Sequence, residues 1–163
     1  RFSIMASEIK VDTIVNAGGD NDTGIDLATN DQILLKVANA TKLTMNSTGQ
    51  TTIVGEGGTT TTSVQQGLVK AWCKFNGEAS SIANADSFNV SGLTDNGTGD
   101  YTIAIDNDMA NDDYATTCNG SEQVFSIYNA ANTHAGTVRV YSQHQDSSTD
   151  AQEASVQITG DLA

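Results

Sequence analysis

Proline is missing from all 163 residues, where ordinary usage near 5% would supply roughly eight. Gly, Asn, Asp, Thr and Ser must therefore make every turn. Positive charge is scarce as well. Seven Lys and Arg against twenty Asp and Glu leave a formal net charge of −13. With so few cations, and none clustered, the phosphate neutralisation that drives nucleic-acid binding has little to act with. An anionic membrane surface would repel the same chain. No window approaches the roughly eighteen consecutive apolar residues of a membrane helix, so no membrane insertion is expected. The acidity instead favours solubility and discourages nonspecific association, and it suits a protein working in salty water, where screening is strong.

Catalytic signatures are equally sparse. The chain has no Gly-x-Ser-x-Gly, no His-Glu-x-x-His, no Cys-x-x-Cys and no nucleotide-binding glycine fingerprint. Gly55-Glu56-Gly57-Gly58 is followed by no Lys-Ser/Thr, so it does not read as a phosphate loop. His134 and His144 flank one strand-like run with no nucleophile placed beside either. Carboxylate pairs such as Asp106/Asp108 and Asp112-Asp113 arise by composition among twenty acids. The expectation is a protein that is not an enzyme. Cys73 and Cys118 lie in separate strand-like runs, without metal-binding spacing. Two free buried thiols are the simpler expectation, because a disulfide needs the two strands brought side by side. Arg1–Ile4 ahead of Met5 lacks the apolar stretch of a signal peptide. Asn-x-Ser/Thr triplets at Asn21, Asn39, Asn46, Asn89, Asn96 and Asn119 are what chance supplies in so Asn- and Thr-rich a chain.

What the chain does contain is β pattern. Residues 32–37, 42–45 and 50–54 are runs of Ile, Leu, Val, Thr and Met, separated by Ala38-Asn39-Ala40-Thr41 and Asn46-Ser47-Thr48-Gly49. A three-stranded meander of this size is too small to bury a core alone. It requires partners, and copies of itself about a symmetry axis are the simplest ones. Ahead of it, residues 5–15 are dense in β-branched side chains and read as an extended arm that docks onto something else. Residues 16–30 read as a loop. The spacing of Asp20, Asp22, Gly24, Asp26 and Asp31 invites a calcium (Ca2+) reading, but the glycine falls at the fifth place and the last ligand is Asp rather than Glu. A solvated turn is preferred, and no cofactor is expected. Gly55 to Gln66 reads as a flexible linker.

From Gly67 onward the strands lengthen. Val69, Ala71, Cys73 and Phe75 alternate with Leu68, Lys70, Trp72 and Lys74, and further strands are expected at 87–93, 101–105, 114–118, 123–128, 137–142 and 154–158. Seven short strands at such spacing suggest an antiparallel sandwich, jelly-roll-like in character. Asn76-Gly77, Asn96-Gly97 and Asn119-Gly120 are expected to close turns through positive φ. Trp72, with Lys70 and Lys74, forms an unusual basic and aromatic patch, to be read as an interface anchor or as a sugar-stacking platform.

The meander, with its Leu43-Thr44-Met45 strand and Asn46-Ser47-Thr48-Gly49 turn, resembles the stalk repeat of bacteriophage tail fibres. Met5-Ala6-Ser7-Glu8-Ile9-Lys10-Val11-Asp12-Thr13-Ile14 is similar to the opening of phage virion fibre proteins, especially those of marine phages. Phe88-Asn89-Val90-Ser91, followed by Asp95-Asn96-Gly97-Thr98-Gly99-Asp100-Tyr101-Thr102, resembles a C-terminal β-domain appended to such proteins. The resemblance implies a non-enzymatic structural component of a virion. It would be a homotrimer on the exterior of the particle, contacting other virion proteins of tail or capsid and displaying a head for host attachment. The rival expectation is a capsid-decorating head fibre that stabilises the shell and has no host ligand.

The expected architecture is thus all-β in three parts. Residues 1–31 are the anchoring arm, with Ile9, Val11, Thr13 and Ile14 facing the virion. Residues 32–66 are the trimeric stalk and linker, with Ile33, Leu35, Val37, Leu43, Met45 and Ile53 at the subunit interface. Residues 67–163 are the β-sandwich, with Trp72, Lys70 and Lys74 toward a host-surface glycan or protein, met also by loops at 76–85, 106–113 and 129–135.

Overall fold

Alternating side chains and Asn/Gly-rich turns fold more than half of the described residues into strands, all of them paired antiparallel. The computed structural model describes residues 11–16, 18, 22–121, 124–127 and 133–163, and these divide between two units, Arg1–Gln65 and Gln66–Ala163.

The first unit is one six-stranded sheet in sequential order: β1 (Thr13–Val15), β2 (Gly24–Asp26), β3 (Ile33–Val37), β4 (Ala40–Met45), β5 (Thr51–Val54) and β6 (Thr61–Ser63). It is larger than the expected meander at both ends. The stretch read as arm and loop supplies β1 and β2, which pair onto β3, so an arm–stalk boundary at residue 31 falls inside a sheet. The stretch read as linker supplies a hairpin: the Gly55 and Gly58 amides donate to the Thr60 and Gly55 carbonyls, and β6 returns along β5. Thr-rich sequence is strand-forming once a neighbour is present, and composition alone hid that. The β3–β4 hairpin turns on Ala38 and Asn39, both at positive φ (52° and 56°), the type I′ geometry whose twist matches paired strands. At the β4–β5 turn Asn46 Oδ1 accepts from the amides of Thr48 and Gln50. Gln65, in the four-residue helix α1 (Val64–Gly67), ties the same end by bonding the Thr51 amide and the Gly49 carbonyl.

The second unit is a two-sheet sandwich. One sheet runs β11 (Ala115–Gly120), β15 (Ala154–Thr159), β7 (Val69–Phe75), β8 (Asn84–Phe88). The other runs β12 (Val124–Ile127), β13 (Thr137–His144), β10 (Asp100–Ile105), β9 (Val90–Gly97), with β14 (Ser147–Ser148) added on β13. Inward residues come at every second position, as a half-buried sheet demands: Ala71, Cys73 and Phe75 with Ala154, Val156 and Ile158 from one sheet, Tyr101, Ile103 and Ile105 with Val138 and Val140 from the other. The Phe75 and Tyr101 rings meet edge to face, with centroids 5.0 Å apart.

The run expected as one strand at 87–93 is two strands in different sheets. The break is Asn89, at φ 53°. Its Nδ2 donates to the carbonyls of Lys70 and Asn107, and its Oδ1 accepts from the Asn107 amide and side chain. One polar side chain therefore stitches the edge where the chain leaves one sheet for the other. Of the expected Asn-Gly turns, Gly97 has positive φ (133°). Gly77 and Gly120 answer to space instead: a Cβ there would lie 2.2 Å from the Tyr101 hydroxyl and 2.2 Å from the Phe125 ring, respectively.

Candidate functional site

In the first unit the register concentrates the large apolar residues on one face. Ile14 pairs with Ile25, Ile25 with Leu35, Leu35 with Leu43 and Leu43 with Ile53. Residues directly opposite in antiparallel strands project to one face, so five strands contribute one continuous apolar row. Ile33 opposite Met45, and Val37 opposite Ala40, extend it on the same side. A bulge at Lys42, which the register skips between Leu43 and Thr41, lets both ends of β4 keep the pattern. The other face is mixed: Thr13, Thr44, Thr52 and Ser63 and the Lys36–Asp26 ion pair at 2.7 Å stand there beside Val15, Leu34 and Val54. That hydrogen bond from Lys36, helped by the Ala28 amide, holds the Asp26 carboxyl below its usual range.

Among the described residues of the first unit, none lies across the apolar face. No described residue before Lys70 is buried. Ile14 is 55% exposed, Val37 50% and Ile33 43%, and Leu27, Leu35, Met45 and Ile53 are close behind. These seven residues present roughly 600 Å², at the top of the range for the largest apolar patch on a monomer.

All six residues expected at a subunit interface, Ile33, Leu35, Val37, Leu43, Met45 and Ile53, stand on this face. Of those expected to face a virion, Ile9 lies outside the described residues, Val11 is exposed just ahead of β1, and Thr13 is in β1 on the polar side. Ile14 joins the apolar row. Ile25 and Leu27 were not anticipated. Gly24-Ile25-Asp26 is too short to show alternation, and its acidic surroundings read as a loop. Asp20 lies outside the described residues, and Asp26 sits in a strand engaged with Lys36. Among the described residues no group of three His, Cys, Asp or Glu side chains is arranged to hold a metal ion.

In the second unit Trp72 and Lys74 point outward from β7, between the inward Ala71, Cys73 and Phe75. Lys70 does not join them. The register passes from Ala71 opposite Ile158 to Val69 opposite Thr159, leaving Lys70 in a bulge. It is 7% exposed, with its ammonium donating to the Leu68 carbonyl, so Lys70 is withdrawn from the receptor-facing patch. The side chain beside Trp72 is instead Phe88, directly opposite on β8 and 56% exposed. Lys74 is paired with Glu153 at 3.0 Å.

Several other groups of the second unit are engaged in structure. Tyr101 donates to Asp150 Oδ1 at 2.8 Å, where the Gly99 amide also donates; burial first, then that carboxylate, pushes the phenol well up. Cys73 and Cys118 both oppose Val156 from either side of β15. Two strand spacings, about 9–10 Å, exceed the reach of a disulfide, and both thiols are free. Burial pushes Cys73 up to about 12 and raises Cys118 as well, the opposite of what a reactive thiol needs. Arg139 grips Asp100 through two bonds, Nε to Oδ1 at 2.7 Å among them, and this holds the carboxyl below its usual range. Of the loops expected to meet a receptor, residues 129–132 lie outside the described residues.

No protein-family model, curated protein or solved structure matches this chain.

Proposed function

We propose that this chain is a non-enzymatic structural component of a phage virion. Three copies associate through the apolar face of the first unit as a short fibre on the particle's exterior. The N-terminal end contacts other virion proteins, and the β-sandwich is the head that meets the host surface. The observation that carries the reading is a six-stranded sheet in which no described residue is buried while one face is almost wholly Ile, Leu, Val and Met. Covering roughly 600 Å² of that face is worth on the order of 15 kcal/mol gross per copy, to be set against an association cost of about 4–15 kcal/mol or more. The threefold state and the virion location rest on the resemblance of residues 5–14, 31–54 and 88–102 to phage fibre proteins.

The test is the mass of the intact chain in solution at micromolar concentration. Three times 17.0 kDa is expected; a 17.0 kDa monomer overturns self-association, and two copies overturn the threefold fibre. Crosslinking from residues 11–15 in purified particles separates a tail from a capsid location. Crosslinks to shell protein alone would favour the decorating role over host attachment.

A further inference from the structure

The outer face of the β11-β15-β7-β8 sheet carries a second surface, different in kind from the first. Its register sets Thr117, Gln157, Trp72 and Phe88 in one cross-strand row. Asn119, Ser155, Lys74 and Asp86 form the next row on the same side. One row thus ends in two adjacent aromatic rings, neither of them part of the core; the other is amide, hydroxyl, ammonium and carboxylate. Where the second row ends, two shallow depressions of about 400 Å³ each lie on either side of the Lys74–Glu153 pair. Asn119, Ser121 and Ser155 line one, and Asn76 and Gln152 the other.

We propose that this face is a binding site for an uncharged glycan. The inference rests on reading the sandwich as the host-facing head and names its ligand class. A pyranose has one apolar C–H face and a rim of hydroxyls that both donate and accept. Flat rings beside short amide and hydroxyl side chains complement those two features together. Charge narrows the class. Lys74 is matched by Glu153, and Asp86 stands opposite Lys74, so the surface offers no net positive field to an acidic sugar or a phosphate within a chain of net charge −13. A protein partner of the hydrophobic kind is disfavoured for the converse reason, since interface centres are depleted of charge and this one has three charged side chains beside its aromatic pair. The two depressions give room for successive sugar units on either side of the ion pair. Single-site affinity on so open a surface is weak, and display on several copies raises it by avidity.

Trp72 is the only tryptophan in the chain, so intrinsic fluorescence reports on this site directly. The intact protein is titrated with a panel of neutral hexose and N-acetylhexosamine oligosaccharides, and its binding to the same sugars immobilised on an array is measured. A saturable change in Trp72 emission with at least one neutral oligosaccharide is expected. Array binding should fall at least tenfold in Phe88→Ala and Gln157→Ala and be retained in Trp72→Phe. Mass and far-ultraviolet dichroism, recorded for each variant, separate loss of contact from loss of fold. A flat response across the panel, array binding unchanged in Trp72→Ala/Phe88→Ala, or emission that follows only protein concentration overturns the glycan site. If the assembly keeps its mass in those cases, the fibre reading stands without it. Sugar binding by a chain that runs as a monomer supports the site and overturns the fibre.

Discussion

The two units use the same local chemistry and reach opposite energetic states. Both are antiparallel, both alternate apolar with polar residues, and both turn on Asn, Asp and Gly. In the second, the apolar faces of two sheets meet and thirteen of the described hydrophobic residues are buried. In the first, a single sheet of six strands buries none among those described. Hydrogen-bonded ladders contribute modest net stability because water competes for the same groups; most of the stabilisation comes from apolar area removed from water. A sheet can thus be fully specified in register and still lack the principal source of its stability. The sandwich carries its own core, whereas the meander has no buried residue among those described.

The most direct way to break that contrast is to place a charge on the open face. Leu35→Asp, in the middle of the five-strand row, is expected to collapse the assembly from three copies to a 17.0 kDa monomer by sedimentation, with the sandwich still folded. An unchanged mass would show that the apolar face is not the seam. The converse change belongs to the sandwich. Gly77→Ala drives a methyl into the Tyr101 hydroxyl, which Asp150 holds in place, and should cost about 2–3 kcal/mol in urea denaturation without altering mass. Asn89→Ala removes the four bonds at the crossing between sheets and should cost about 1–3 kcal/mol by the same measurement.

Acid should act through Asp100, whose pKa is depressed in the folded state by Arg139. Its contribution is fully present above the unfolded carboxylate value near 4 and is lost as pH falls through the lower folded value. The stability gap between wild type and Asp100→Asn should therefore be widest near neutrality and close in acid; a gap that widens on acidification would contradict the pairing. The smallest effect expected is at Ala38, a non-glycine residue at φ 52°. Ala38→Gly relieves the left-handed strain but adds unfolded-state freedom, a net gain of less than about 1 kcal/mol, readable as a slightly higher melting temperature of the first unit.

The all-β class and the three middle strands of the first unit were legible as runs of Ile, Leu, Val and Thr between Asn- and Gly-bearing turns, and the inward residues of β7, β10 and β15 by alternation over six or more residues. β2 and β6 were not, and β1 was legible only as part of an extended arm, without its pairing onto β2. Each is only three residues long, too short to show a period, and each exists because a longer neighbour offers an edge. The partner of Trp72 was also hidden. Phe88 sits in a run that looks continuous, and only the left-handed Asn89 reveals that the chain changes sheets there, leaving Phe88 on the outside. Lys70 failed for a related reason, since a bulge shifts the alternation by one place and no composition signal marks it.

Asn89 has one more consequence. It begins an Asn-Val-Ser triplet, the acceptor pattern for oligosaccharide transfer in a eukaryotic secretory pathway. The transferase must reach the same amide nitrogen that the folded protein spends on two carbonyl groups. Material produced in such a host would carry its modification at this position only if it were attached before the sandwich closed, and every molecule so marked would have given up at least one of those two bonds.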